Sequence, residues 1–283
     1  MEVVPGAARV SGHVCWLVED PSGYLTAAAG MLGGDGGHPR RRNLVFGPRG
    51  ATLARLAQRT AAAAADPAEA LPGGVLDPPV VAGMIRDRAG QARHTGHDGV
   101  LLVADMDWLL PLRPTPAQIT AHELRIDRLA AELDITIVCA YRRSSFSPAH
   151  IDGALAVHPS QRGDGQGPRF RLTAAGARGW QLSGEIDIRD SGTFQAAIST
   201  AASLDDCTID VTGLRFIDVA GMRALARAAS SAPGGIRLNG ASPALRRLWQ
   251  LTGFADSAPT LRVGQPSPEQ TAAPGQPRTA AAS

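Results

Sequence analysis

The run DVTGLRFIDVAGM (Asp210–Met222) has the pattern of a buried strand that ends in Asp210 and turns through Thr212-Gly213. It then brings back the apolar pair Phe216-Ile217 and starts a helix at Asp218. An aspartate directly before a helix suits the N-cap, where its carboxylate accepts from free amides and meets the positive end of the helix dipole. Gly213 and Gly221 read as backbone requirements of the turn and of close helix packing. On either side the pattern continues. Cys207–Val211 is a strand, Ala220–Ala229 a helix with Met222, Leu225 and Ala226 inward, and Gly235–Leu238 a strand. Pro243–Leu251 is a helix with Leu245, Leu248 and Leu251 as its stripe. Upstream, Arg169–Thr173 and Gly179–Leu182 form a hairpin, and GEIDIRDSGTFQAAISTAASL a turn and a helix. The order ββαβαβα over residues 169–263 describes one small α/β domain.

Residues 1–160 alternate strands with longer helices. His13–Val18, Arg42–Phe46, Gly99–Ala104 and Ile135–Tyr141 are strands, and the last two are continuous apolar runs suited to a sheet covered on both faces. Gly23–Leu32, Ala51–Ala65, Pro78–Arg93 and Pro116–Leu133 are helical. The last is amphipathic: Ile119, Leu124, Ile126, Leu129, Ala130 and Leu133 are apolar, whereas Glu123, Arg125, Asp127, Arg128 and Glu132 are not. This alternation predicts an α/β domain with a mainly parallel sheet and flanking helices. The polar, Gly-rich stretch between Pro159 and Pro168 reads as a flexible linker, assigned to 161–168, and 264–283 as a disordered tail.

Composition narrows the chemistry. The chain has 283 residues, enough for about two domains. A net charge of +2 offers no basic groove for nucleic acid and no attraction to an anionic membrane. No apolar run reaches a membrane span, and the first residues lack the order of a signal peptide, so a cytoplasmic protein is expected. All 28 basic residues are arginine. Without lysine there is no Schiff base, no pyridoxal-phosphate anchor and no P-loop lysine, and arginine does not yield a proton near neutrality. Accordingly GPRGAT (Gly47–Thr52) reads as a strand-to-helix turn despite its P-loop-like glycines. Cys15, Cys139 and Cys207 are far apart and form no CxxC.

With SGEID (Ser183–Asp187) about thirty residues upstream, the Asp210–Met222 run resembles the STAS domain of anti-sigma-factor antagonists. The resemblance implies a mixed sheet with helices on one face, in a bacterial regulator of transcription. It also implies docking to an anti-sigma factor, a serine-kinase-like ATPase, through Thr212, Asp218, Val219, Ala220, Gly221 and Met222. The family carries Ser and Ser/Thr directly after the Asp, and phosphorylation of the first blocks docking. Here Val219 and Ala220 stand in those places, neither side chain has a hydroxyl, and no phosphorylation is expected there.

The first half resembles the MEDS sensory domain. His13-Val14-Cys15, ADMDWLL (Ala104–Leu110), His122-Glu123, IVCAY (Ile137–Tyr141) and Val157-His158-Pro159 follow the family's order of H-x-C, an M-S-W-like tripeptide, Y-E, L-C-x-Y and H-P. Asp107 stands for the polar residue before Trp108, His122 stands where Tyr is usual, and the Arg common in the preceding strand is absent from Gly99–Ala104. The resemblance implies a RecA-like fold without working nucleotide chemistry, sensing a small organic ligand.

His13, Cys15, Trp108, Glu123, Cys139 and His158 are the candidate ligand-binding residues. If their strands are neighbours, His13, Cys15, Cys139 and His158 could line one pocket or bind a soft metal. The blander reading makes both thiols inert core residues and each histidine a satisfied terminal group, and no metal, cofactor or catalytic residue is expected. His94 and His97 read as capping residues at a helix end, and His122-Glu123 lacks the second histidine of a zinc-protease helix. The expected function is a regulator in which a small-molecule or redox sensor controls a STAS domain. The alternatives are an enzyme acting on a small substrate and a passive scaffold.

Overall fold

The computed structural model describes residues 12–33, 41–176, 179–204, 207–254 and 258–264. The apolar runs of the first half form six parallel strands: β1 (His13–Val18), β2 (Arg41–Phe46), β3 (Ala63–Ala65), β4 (Gly99–Asp105), β5 (Thr136–Arg142) and β6 (Ser160–Arg162). Their order is β3-β2-β4-β5-β1-β6. Because successive side chains point to opposite faces, β1 splits its load. Val14, Trp16 and Val18 pack beneath α1 (Pro21–Gly33) and α2 (Ala51–Thr60), while Cys15 and Leu17 face α3 (Pro78–His94), α4 (Pro116–Leu133) and α5 (Pro148–Leu155).

Two stretches differ from their sequence reading. The alanine-rich helix stops at Thr60, Ala61 turns left-handed at φ 50°, and Ala63–Ala65 become an edge strand beside Leu44–Phe46. Sheet hydrogen bonds and the partial burial of Ala63 and Ala65 outweigh alanine's helix propensity. Ser160–Arg162, read as linker, pair with Val14–Trp16 as the sixth strand, because the bare edge of β1 offers them backbone partners.

The second half forms a mixed sheet in the order β11-β10-β9-β8-β7. β7 (Phe170–Ala174) runs antiparallel to β8 (Trp180–Ile186), and β9 (Cys207–Ile217), β10 (Ile236–Asn239) and β11 (Leu261–Val263) continue parallel to β8. The helices are α6 (Ser191–Leu204), α7 (Val219–Ser231) and α8 (Pro243–Leu251). The predicted turn at Thr212-Gly213 is not a turn: β9 runs eleven residues, absorbing an irregularity of register against β8. Gly213 permits it, since a Cβ there would lie 2.8 Å from the Ser183 Cβ. In α8 the stripe is Leu245 and Trp249, with Leu248 partly buried, whereas Leu251 is 74% exposed. Leu251 lies six positions from Leu245, off the i, i+3, i+4 face.

The two sheets share apolar packing. Leu124 of α4, with Ala156 and Val157, belongs to the same cluster as Phe170, Leu172, Trp180 and Phe194 of the second half, and the Leu172 amide donates to the Ala156 carbonyl at 2.9 Å. This explains why α4 is not the one-sided helix its sequence suggests. Glu123, Asp127 and Arg128 of its polar stripe are all buried. A shared core predicts one cooperative urea transition for the whole chain, followed by tryptophan fluorescence and circular dichroism together. Leu124→Ala is expected to lower that stability by about 2–5 kcal/mol; two resolved wild-type transitions would contradict the shared packing.

Candidate functional site

Helix α4 starts from a capping box. The Gln118 amide donates to Thr115 Oγ1 at 3.3 Å, the Thr115 amide donates to Gln118 Oε1 at 2.8 Å, and Pro116 occupies the first turn. The phase so fixed places Glu123 and Asp127, four residues apart, on one face. Opposite them lie β1 and β5, neighbours in register with Cys15 beside Cys139. Alternation then turns His13, Cys15, Cys139 and Tyr141 toward α4. His158 follows α5, and its Nδ1 donates to the Ala154 carbonyl at 2.7 Å.

The Glu123 carboxylate, fully buried, is the centre of this group. Oε1 accepts a short hydrogen bond from the Tyr141 hydroxyl. Oε2 lies 3.4 Å from Cys139 Sγ, 3.2 Å from His13 Nε2 and 3.5 Å from His158 Nε2. His13 Nε2 is also 3.4 Å from Cys139 Sγ, and His13 Nδ1 is 3.4 Å from Asp127 Oδ1. The rings of His13 and His158 stack with centroids 3.7 Å apart.

The charges sort by neighbour. Burial opposes a charge on His13, but hydrogen bonding and attraction to Asp127 and Glu123 win, lifting it to about 9. His158 is held down at about 3, first by burial and then by the charge on His13. Burial pushes Cys139 and Tyr141 up, and Glu123 reinforces both, so each keeps its proton and donates it to the carboxylate. Burial alone would raise Glu123 as well, yet the facing His158 and His13 hold it well below the usual carboxylate range. Within the group a proton is thus favoured on His13 over His158. His13, Glu123, Cys139 and His158 also present one donor atom each within 4.8 Å of one another, the composition of a transition-metal site.

Of the six candidate ligand residues, four meet in this cluster. Cys15 lies beside it on β1, buried, its thiol pushed up chiefly by desolvation. Trp108 is buried edge-on to His122 at 5.7 Å and walls the neighbouring core. His94 is exposed, and His97 Nδ1 lies 3.3 Å from the Ala92 carbonyl, which fits a capping role for His97. Asp127 and Tyr141 join the site without being sequence candidates, although i, i+4 from Glu123 and i, i+2 from Cys139 are the spacings that find them.

The cluster continues into the second domain. Asp127, whose Oδ1 faces His13, accepts on Oδ2 from the Ala174 amide of β7 at 2.6 Å. Arg128 donates to the Gly179 carbonyl at 2.8 Å and the Gly176 carbonyl at 3.3 Å, its guanidinium 4.0 Å from the Trp180 ring centre. Arg171 of β7 donates to the His158 and Leu155 carbonyls.

Elsewhere the site candidates close down. At the carboxyl ends of β4 and β5, where open α/β sheets place ligands, Arg142 is paired with Asp105 at 2.7 Å and with Asp107. Beside them Gly47–Thr52 is a strand-to-helix turn, and the cavity it lines with Tyr24 and Asp105 is only about 10 Å³. A larger cavity of about 250 Å³ lies at the ends of α3 and α4, lined by Arg93, His97, Asp98 and Asp134, none of them in the cluster.

In the second domain Asp218 caps α7, accepting from the Gly221 amide at 2.8 Å. Val219 is exposed together with Ile188 and Phe216, and Ala220 is half-buried. Met222 and Gly221 are buried: Met222 packs in the core, and a Cβ on Gly221 would sit 2.6 Å from Ile217. Thr212 is exposed, but it lies five positions of extended strand, roughly 16 Å, before Ile217.

Comparison with protein-family models matches residues 12–159 to MEDS, the MEthanogen/methylotroph, DcmR Sensory domain, and residues 174–263 to Mlab, STAS domain. No curated protein matches the chain. Among the described residues no helix is long and apolar enough to cross a membrane.

The joint between the domains makes a direct prediction. Arg128→Ala removes two charge-assisted hydrogen bonds and the contact with Trp180, and should lower the urea-unfolding stability by about 1.5–3 kcal/mol. A loss under about 0.5 kcal/mol, the size of an ordinary surface change, would contradict the joint.

Proposed function

We propose that this chain, which belongs to the MEDS family through residues 12–159 and carries a STAS domain at residues 174–263, is a regulatory protein in which the first domain senses and the second docks. The observation that carries the reading is Asp127. One oxygen of its carboxylate faces the buried His13 and the other accepts from the β7 backbone, so a change of charge or geometry in the cluster bears directly on the STAS sheet. Control of this kind requires the signal to bind two arrangements of that joint unequally.

The output is binding in the manner of an anti-sigma-factor antagonist, with a kinase-like ATPase regulator as partner. The surface for it is the start of α7, where Asp218, Val219 and Ala220 follow the exposed Phe216 and the Asp218 amide donates to the Ile186 carbonyl at 3.1 Å, two residues before the exposed Ile188. Val219 and Ala220 leave this surface without a hydroxyl, so the switch that families of this type place here is replaced by the signal arriving through the joint. The signal itself is a small molecule or a change of redox state. No enzymatic role is proposed: the lysine-free sequence and the paired Asp105, Asp107 and Arg142 leave nucleotide chemistry without its reacting groups.

Affinity purification with the full chain as bait tests the docking surface. The wild type should retain an ATPase-fold regulator, identified by mass, and Asp218→Arg should lower its retention at least about tenfold, a loss of about 1.4 kcal/mol. Recovery of no such regulator, or equal recovery with Asp218→Arg, would contradict the reading. Incubation with radiolabelled ATP and the recovered regulator should leave residues 218–222 unlabelled.

A further inference from the structure

The buried cluster has a feature that neither sensing nor docking explains. His158 spends its Nδ1 hydrogen on the Ala154 carbonyl, so its Nε2 carries a lone pair. That nitrogen is fully buried, has no hydrogen-bond partner, and faces the Glu123 Oε2 at 3.5 Å. A lone pair aimed at a carboxylate oxygen is repulsive unless a cation lies between them. His13 has the complementary arrangement, with Nδ1 toward Asp127 and Nε2 toward Glu123 and Cys139.

The spacings fit such a cation. With metal–nitrogen and metal–oxygen bonds of about 2.0–2.1 Å and a metal–sulfur bond of about 2.3 Å, tetrahedral ligand atoms stand about 3.3–3.6 Å apart. Four edges among these donors measure 3.2, 3.4, 3.4 and 3.5 Å. His158 has the outer carbonyl partner that metal-bound imidazoles require, His13 Nδ1 lies 3.4 Å from the Asp127 carboxylate, and Tyr141 fixes the second oxygen of Glu123.

We propose that His13 Nε2, Glu123 Oε2, Cys139 Sγ and His158 Nε2 bind one divalent transition-metal cation of the zinc class. Two imidazoles, a thiolate and a carboxylate select a borderline ion over calcium or magnesium. All four positions come from protein, so the site is closed and holds structure; it has no place for a reacting water. It ties α4 to β1, β5 and the segment after α5, and Asp127 positions His13 from outside. The site stands independently of any docking partner.

The test uses the full chain, stripped with chelator and titrated with Co²⁺ as a spectroscopic probe. Expected are one Co²⁺ per chain, visible bands of tetrahedral intensity, a near-ultraviolet thiolate-to-cobalt band, and loss of all of them on adding Zn²⁺. Cys139→Ser should abolish the thiolate band, Cys15→Ser should retain it, and Asp127→Asn should weaken Co²⁺ binding about 10–100-fold. A wild-type chain with no tetrahedral spectrum or no thiolate band overturns the proposal, whether or not the Cys139 variant folds. A thiolate band that survives Cys139→Ser overturns it as well.

Discussion

Helix α4 is covered on both sides, and most of the molecule follows from that. Its apolar positions pack beneath the first sheet and into the core of the second, and its charged stripe falls in the seam between them. A buried, unpaired carboxylate or guanidinium costs several kcal/mol, so a helix in this position must find a partner for each charge. Glu123 finds Tyr141, Cys139 and the two histidines, Asp127 finds His13 and the Ala174 amide, and Arg128 finds two carbonyls and the Trp180 ring. The buried cluster and the domain joint are therefore the same set of compensations, viewed from opposite faces of one helix.

The rest of the first domain is arranged around that seam and away from the usual ligand place of its fold class. At the carboxyl ends of β4 and β5, Arg142 neutralises Asp105 and Asp107, and the glycine turn after β2 closes onto Asp105 with little space left. The buried polar cluster lies on the other face of β5, where alternation along the strand points Cys139 and Tyr141 at α4. In the second domain the capped start of α7 keeps an exposed surface on which Val219 and Ala220 carry no hydroxyl.

The two-domain α/β order was legible because strands covered on both faces are uninterrupted apolar runs, as in Gly99–Ala104, and because the capping of α4 and α7 is written in Thr115, Pro116 and Asp218. Four of the six ligand candidates meet, since His13 and Cys139 lie on neighbouring strands, Glu123 on the helix facing them and His158 in the segment after α5. What the sequence hides is the seam. A stripe holding Glu123, Asp127 and Arg128 has the look of a solvent face, and nothing local reveals that a second sheet covers it. The same blindness to tertiary pairing turned Ala63–Ala65 into helix and Ser160–Arg162 into linker. The motif resemblance places Met222 and Gly221 on a docking surface, although both are buried, Gly221 against Ile186 and Ile217.

The continuity of cluster and joint is the central claim, and hydrogen exchange of the β7 backbone in the full chain measures it most directly. Replacing Glu123 with glutamine removes the charge at the heart of the cluster without touching any residue of the second domain. Exchange at Ala174 and along Phe170–Ala174 should then accelerate about tenfold or more, while β10 on the far side of that sheet keeps its protection. Unchanged protection along β7 in a folded Glu123→Gln chain would contradict the account.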